Sequence, residues 1–301
     1  MLIRERFETT AFSQSEQTVV DYILEKKTDI EPMTTKQIAA AAFTVPSTLI
    51  RIAKKMNYAG WNDLKEDYLK EERYLQSHFT EIDPNYPFQR HDSIMTIAAK
   101  IASLRNESVN DTLSLMTHDE LQGAIRIMRD ASLIGLFAAS NNLYISREFK
   151  HNMSRIKRRV EIYDTQGEIV FNASLMEQGQ CAIIISYSGE TAPLIRVAHT
   201  LKLKGIPFIA ITNIGENTIS RLADVTLHIT TRERLFSKIA TFTTDSAIEY
   251  LLDVLYSCVF ALNYDDNVNL KATMSKIVEK ERFSDTKSIN EALSDVEFYK
   301  D

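Results

Sequence analysis

Residues 181–191, CAIIISYSGET, decide the fold. Cys181 to Ser186 is an apolar run that does not alternate, the pattern of a β-strand buried on both faces. A hydroxyl-rich turn follows, and the amphipathic stretch Thr191 to Lys204 beyond it reads as a helix. A doubly buried strand feeding directly into a helix belongs to a parallel sheet covered by helices. The turn then brings the unpaired N–H groups of a helix start, and the positive end of its dipole, to the carboxyl edge of the sheet, where an anion is favoured. Gly189 lets the backbone approach such an anion closely, and Ser186, Ser188 and Thr191 supply hydroxyl donors, with Tyr187 in the same turn. Taken alone, the stretch also reads as a Ser188 helix cap and a Gly189 turn.

Outward from this strand the same pattern recurs. Strands are expected at Leu133 to Ala139, Val160 to Tyr163, Pro207 to Thr212 and Val225 to Ile229, with amphipathic helices between them. The fold class is therefore an α/β domain with a five-stranded parallel sheet, closed by a long helix from Thr244 to Leu262. The first strand runs into Ala139, Ser140, Asn141 and Asn142, which would form the opposite wall of the anion site. A basic cluster, Arg155-Ile-Lys157-Arg158-Arg159, reads as a solvated helix end that complements the dipole.

The first third of the chain is all helix. Ser13-Gln14-Ser15-Glu16 and Thr34-Thr35-Lys36-Gln37 are capping boxes, opening helices to about Lys27 and to Ala42. Pro46 suits the first position of a third helix running to Met56, in which Leu49, Ile52, Ala53 and Met56 form one apolar stripe. Ser47, Arg51 and Lys54 then face the other way, flanked by Thr48 and Lys55, which is the equipment of a recognition helix. Residues 1–77 carry 11 Lys/Arg against 12 Asp/Glu, yet Pro32 to Asn62 holds Lys36, Arg51, Lys54 and Lys55 and no acid. The periodicity fits a helical bundle for protein contacts equally well. A fourth helix is expected from Asn62 to Arg73, a linker at Pro84 to Pro87, and a connector helix from Ser93 to about Leu115 capped by Asp92.

The resulting division is 1–77 for DNA binding, 78–117 for the linker and connector helix, 118–264 for the α/β domain and 265–301 for a polar tail. With 301 residues, 44% of them apolar and 25% charged, the chain has room for two cores. The net charge of −6 excludes a non-specific basic nucleic-acid coat. Two cysteines in apolar surroundings read as reduced thiols, and with no secretory signal or membrane-length apolar run they point to the cytoplasm. The six histidines are scattered, so no metal site is expected, and with no nucleotide fingerprint no cofactor is expected either.

Two segments carry a resemblance. Residues 39–61, AAAAFTVPSTLIRIAKKMNYAGW, with Leu64 and Lys65 beyond, resemble the helix-turn-helix of RpiR-type transcription regulators. Residues 186–191, SYSGET, resemble the signature of the sugar-isomerase (SIS) domain. Domain order and spacing agree, so the likeness spans nearly the whole chain. It implies a helix-turn-helix bundle joined to a flavodoxin-like α/β/α sandwich. It further implies homodimers or homotetramers, double-stranded operator DNA as partner, and a phosphorylated sugar as effector, with no catalysis. Three positions depart from the family pattern. Phe43 replaces a turn glycine, so either the turn is shaped differently or the ring packs inward. Val45 replaces a capping serine, and Ala138, Ser140 and Asn142 stand in a loop usually built from two glycines and a ligand-binding serine. Two rival functions stay open on the residues alone: an aldose–ketose isomerase acting on a phosphosugar, and a dimerisation module with an inactive pocket.

Overall fold

In the computed structural model, residues 2–77, 82–165 and 167–278 are described, with side chains omitted for 74–77. The last part of the expected tail lies outside them. The chain divides into two compact units, one comprising Met1–Leu115, Asn213–Arg221 and His228–Thr244, the other Met116–Thr212, Leu222–Leu227 and Asp245–Asp301.

The first unit begins with a helix the sequence did not announce, α1 (Ile3–Thr9). It is short and highly charged, and long-range partners hold it. The Glu71 carboxylate accepts the N–H groups of Ile3 (2.6 Å) and Arg4 (3.0 Å), and buried Phe7 packs on Tyr68 with centroids 5.7 Å apart. Four expected helices follow as α2 (Gln14–Lys26), α3 (Thr35–Ala41), α4 (Pro46–Lys55) and α5 (Trp61–Ser77), with a 3₁₀ turn at Lys27–Ile30 before Pro32. Their shared core includes Val19, Ile23, Ile38, Leu49, Ile52 and Leu64. Both capping boxes form: Glu16 accepts the Ser13 N–H at 2.9 Å, and Gln37 accepts the Thr34 N–H at 2.7 Å while its own N–H reaches Thr34 Oγ1 at 3.3 Å.

The connector helix α6 (Ile94–Leu115) is capped by Ser93, whose Oγ accepts the Thr96 N–H at 3.1 Å. Asp92 is not the cap; its carboxylate takes the Gln89 N–H and the Lys100 ammonium, both at 2.8 Å. The helix is pinned by polar contacts, with Ser108 Oγ donating to the Thr243 carbonyl (2.6 Å) and Arg232 reaching Glu107 (3.1 Å) and Asp111 (3.5 Å). The Pro84 to Pro87 linker is likewise held: Asn85 accepts the Arg234 N–H at 2.7 Å through its side chain and the Ile239 N–H at 3.0 Å through its carbonyl.

The rest of the chain alternates as expected: α7 (His118–Arg129), β1 (Ile134–Ala138), α8 (Asn142–Arg155), β2 (Val160–Tyr163), α9 (Ile169–Leu175), β3 (Cys181–Ile185), α10 (Ala192–Lys204), β4 (Phe208–Asn213), α11 (Thr218–Leu222), β5 (Val225–Ile229), α12 (Phe242–Ala261) and α13 (Tyr264–Val278). Strand order is β2-β1-β3-β4-β5. β1 pairs in parallel with β2 and β3, with Ala138 opposite Ile185, and β3 with β4. Every residue of β1 and β3 is buried, which is why neither alternates in sequence. No helix among the described residues is long and apolar enough to cross a membrane.

A buried carboxylate paired with a surface lysine sets an acid limit on the helical unit. Lys55 donates to Glu16 Oε2 at 2.6 Å; this bond, with the Ser13 N–H, lowers the Glu16 pKa from an ordinary 4.5 to about 2. Because the folded value lies below the unfolded one, the stabilisation is complete above pH 4.5 and is lost as the pH falls toward 2. Denaturant unfolding at several pH values should show this loss, and Glu16→Gln should flatten it while costing about 1 kcal/mol at neutral pH.

Candidate functional site

Parallel β1 and β3 are neighbours, and their carboxyl ends lie side by side. The order β2-β1-β3-β4-β5 reverses direction between them, so the crevice at their carboxyl ends is the topological switch point where ligands bind in such sheets. The two segments expected as its walls, Ser140–Asn142 and Ser186–Thr191, follow the ends of β1 and β3. Ser186 Oγ and Thr191 Oγ1 are 3.0 Å apart, the Gly189 N–H closes a turn onto the Ser186 carbonyl at 3.1 Å, and Ser188 Oγ accepts the Glu190 N–H at 3.2 Å. Thr212 at the end of β4 donates to the Tyr187 carbonyl at 3.4 Å. Gly189 has φ 66°, a left-handed conformation that suits glycine. Thr191 is the N-cap of α10 without a side-chain capping bond, and Pro193 in the first turn supplies no N–H. The cradle is therefore built from hydroxyls and the first amides of a 13-residue helix.

The other wall is more constrained. Ser140, in a glycine position of the resembled pattern, has φ 54° and is exposed. Asn141 Nδ2 donates to Asp245 Oδ2 at 2.8 Å, which ties this loop to α12. Asn142 is half-buried and opens α8, placing a second helix start beside the crevice. Of the basic cluster, Arg158 is structural: it donates to the carbonyls of Met128, Arg129 and Ala131 at 2.5, 3.0 and 3.0 Å, closing the end of α7. Arg155 and Lys157 instead line a cavity of about 490 Å³ between α8 and α13. Among the described residues no cluster of His, Cys, Asp or Glu is arranged to hold a metal.

On α4 the structure sorts the expected DNA-facing residues. Ser47 and Lys54 are exposed, as is Lys36 on α3. Arg51 is exposed but oriented, with Nη2 donating to Thr48 Oγ1 at 3.2 Å and Nε 3.8 Å from Glu16. Thr48 itself is buried, so it positions Arg51 and does not face solvent. Lys55 is half committed to Glu16 and to the Ala11 carbonyl at 3.3 Å. Three apolar residues around the start of this helix are exposed: Phe43 and Val45, both departures from the resembled pattern, and Ile50, which the sequence did not single out. Phe43 does not pack inward. It takes the left-handed position after α3, with its N–H on the Ala40 carbonyl (3.1 Å) and the Thr44 N–H on the Ala39 carbonyl (2.8 Å). Val45 caps α4 without a side-chain bond. At the far end of α4, the Met56 carbonyl accepts from the guanidinium of Arg6, whose Nη1 lies 3.2 Å from Glu216 in the segment after β4.

A helix-turn-helix unit on the same chain as a switch-point crevice defines a two-module protein. Residues 2–73 match the helix-turn-helix domain of the rpiR family and residues 127–249 match the SIS domain, and the chain belongs to the RpiR-type transcription regulators. Its relatives include an uncharacterized HTH-type transcriptional regulator of Caldanaerobacter subterraneus, 24% identical over 94% of this chain and 98% of that one. Another is YbbH of Bacillus subtilis, an uncharacterized HTH-type transcriptional regulator 23% identical over 83% of this chain and 87% of that one. Among solved structures, the Vibrio vulnificus NanR protein complexed with ManNAc-6P superposes with a TM-score of 0.57 at 22% identity, over 93% of this chain and 99% of that one. The sugar isomerase domain of an RpiR transcription factor from Sphaerobacter thermophilus gives 0.53 at 13% identity, over 60% of this chain and 98% of that one. Both agree with the five-stranded fold found here.

A non-glycine residue held left-handed costs about 1–2 kcal/mol. Ser140→Gly should therefore raise unfolding stability by about 1 kcal/mol, read by calorimetry, since the Ser140 side chain is exposed.

Proposed function

We propose that this chain is a cytoplasmic DNA-binding regulator of sugar or amino-sugar metabolism genes, controlled by a phosphorylated sugar held between Ser186–Thr191 and Ser140–Asn142. In this reading 1–77 reads DNA, 78–117 connects, 118–264 senses, 265–301 is a polar tail, and the working form is a homodimer or homotetramer. The observation that carries it is the pair of hydroxyls of Ser186 and Thr191, 3.0 Å apart at the start of α10 and at the switch point of the sheet, an arrangement suited to a phosphate. Ser140, Asn141 and Asn142 supply polar groups suited to the sugar portion. The NanR complex, whose ligand is ManNAc-6P, adds support for that ligand class.

Regulation requires that the effector bind two conformations with different affinity. α6 and the subunit interface are one lever. Arg6 offers a second, because one guanidinium joins the last turn of α4 to Glu216. A shift of the segment after β4 on ligand binding would reach the DNA-reading helix through it.

Two measurements test this. Thermal shift with a panel of hexose and amino-sugar phosphates should show one that raises the melting temperature, and Ser186→Ala should abolish the rise. Fluorescence anisotropy with DNA from flanking promoters should show sequence-specific binding altered by that same ligand. Arg51→Ala should weaken it by about 1–3 kcal/mol. Absence of specific binding to every duplex rejects the reading. Glu216→Ala should change phosphosugar affinity less than about threefold while shrinking the effect of the ligand on DNA affinity; unchanged coupling would remove Arg6 as a lever.

A further inference from the structure

The turn between α3 and α4 carries a feature that folding alone disfavours. Phe43 closes α3 with φ 52°, at a position where glycine is the residue without steric cost, yet its ring is 95% exposed and gains almost no burial in return. Strained backbone with an outward aromatic side chain is typical of a surface that contacts something else. Two further exposed apolar residues follow in the chain: Val45 is 58% exposed and Ile50 is 49% exposed. On α4, Ile50 lies one turn from Ser47 and from Lys54 and beside Arg51, so the apolar residues share a face with the polar and cationic ones. No acid occurs between Pro32 and Asn62, so the charged side chains of this segment are all cations.

That charge pattern selects the occupant. A duplex presents phosphates at the groove edge and, inside the major groove, one apolar group, the C5-methyl of thymine, which Phe and other apolar side chains contact. We infer that Phe43, with Val45 and Ile50, forms an apolar lip that packs on thymine methyl groups beside the bases read by Arg51, making Phe43 a determinant of operator sequence. The inference rests on the DNA-binding reading above and adds to it a preference for thymine at the positions beneath the turn.

The test uses the full chain and the consensus duplex it selects from a random library. Replacing each thymine in turn by deoxyuridine removes only the methyl; at one or two positions this should weaken wild-type binding about fourfold per methyl. Phe43→Gly, which relieves the left-handed strain, should leave the melting temperature equal or higher, weaken binding to the thymine duplex by roughly tenfold, and be insensitive to deoxyuridine at those positions. Phe43→Asn, which tolerates the same backbone conformation, should behave like Phe43→Gly and so exclude a loosened turn as the cause. Full sequence-specific binding by both variants, or no deoxyuridine effect on the wild type, overturns the inference while leaving the DNA-binding reading intact. So does a change in oligomeric state by sedimentation in place of a change in DNA affinity, which would assign the lip to a second copy of the chain. Recovery of no consensus duplex overturns both.

Discussion

Two parallel neighbours whose crossovers lead away from each other must leave a crevice between them. β1 crosses to β2 on one side, and β3 crosses to β4 on the other. Right-handed crossovers then put α8 and α10 on opposite faces of the sheet. The two helix starts open toward the same edge. The hydroxyl turn, the left-handed Gly189 and the tied Asn141 elaborate a vacancy that topology creates.

The helical unit solves a different problem. As the proposed recognition helix, α4 needs a cationic outer face, yet cations crowd one another. Buried Glu16 answers this by taking Lys55 at 2.6 Å and steadying Arg51 at 3.8 Å, so one carboxylate both ties α2 to α4 and aims the guanidinium. Thr48 completes the support from within α4. The outer face of α4 is thus supported by residues that do not themselves face outward, and the same carboxylate that orders it limits its tolerance of acid.

Much of this was legible because the relevant patterns are local. The buried runs of β1 and β3, the capping boxes at Ser13 and Thr34, and the turn from Ser186 to Thr191 each depend on a few adjacent residues. What escaped depends on distant partners or on fine angle. α1 exists because Glu71, 68 positions away from Ile3, caps its start. Thr48 turned inward because the buried stripe of α4 is wider than the four apolar residues suggest, and takes in a hydroxyl that a neighbour can use. Asp92 and Ser93 are both plausible caps one residue apart, and only geometry separates them. Phe43 broke the glycine pattern visibly, but sequence alone left open whether the backbone or the ring would adapt.

Cys181 opens the strand that feeds the cradle and is one of two thiols in the chain. Burial pushes its pKa up to about 12, and the half-buried Cys258 is shifted upward too. A thiol so protonated and enclosed is inert to alkylating reagents until the central strands part. The molecule thus carries an internal clock for its own opening, and the labelling rate at Cys181 would time how often the sheet breathes with and without a guest.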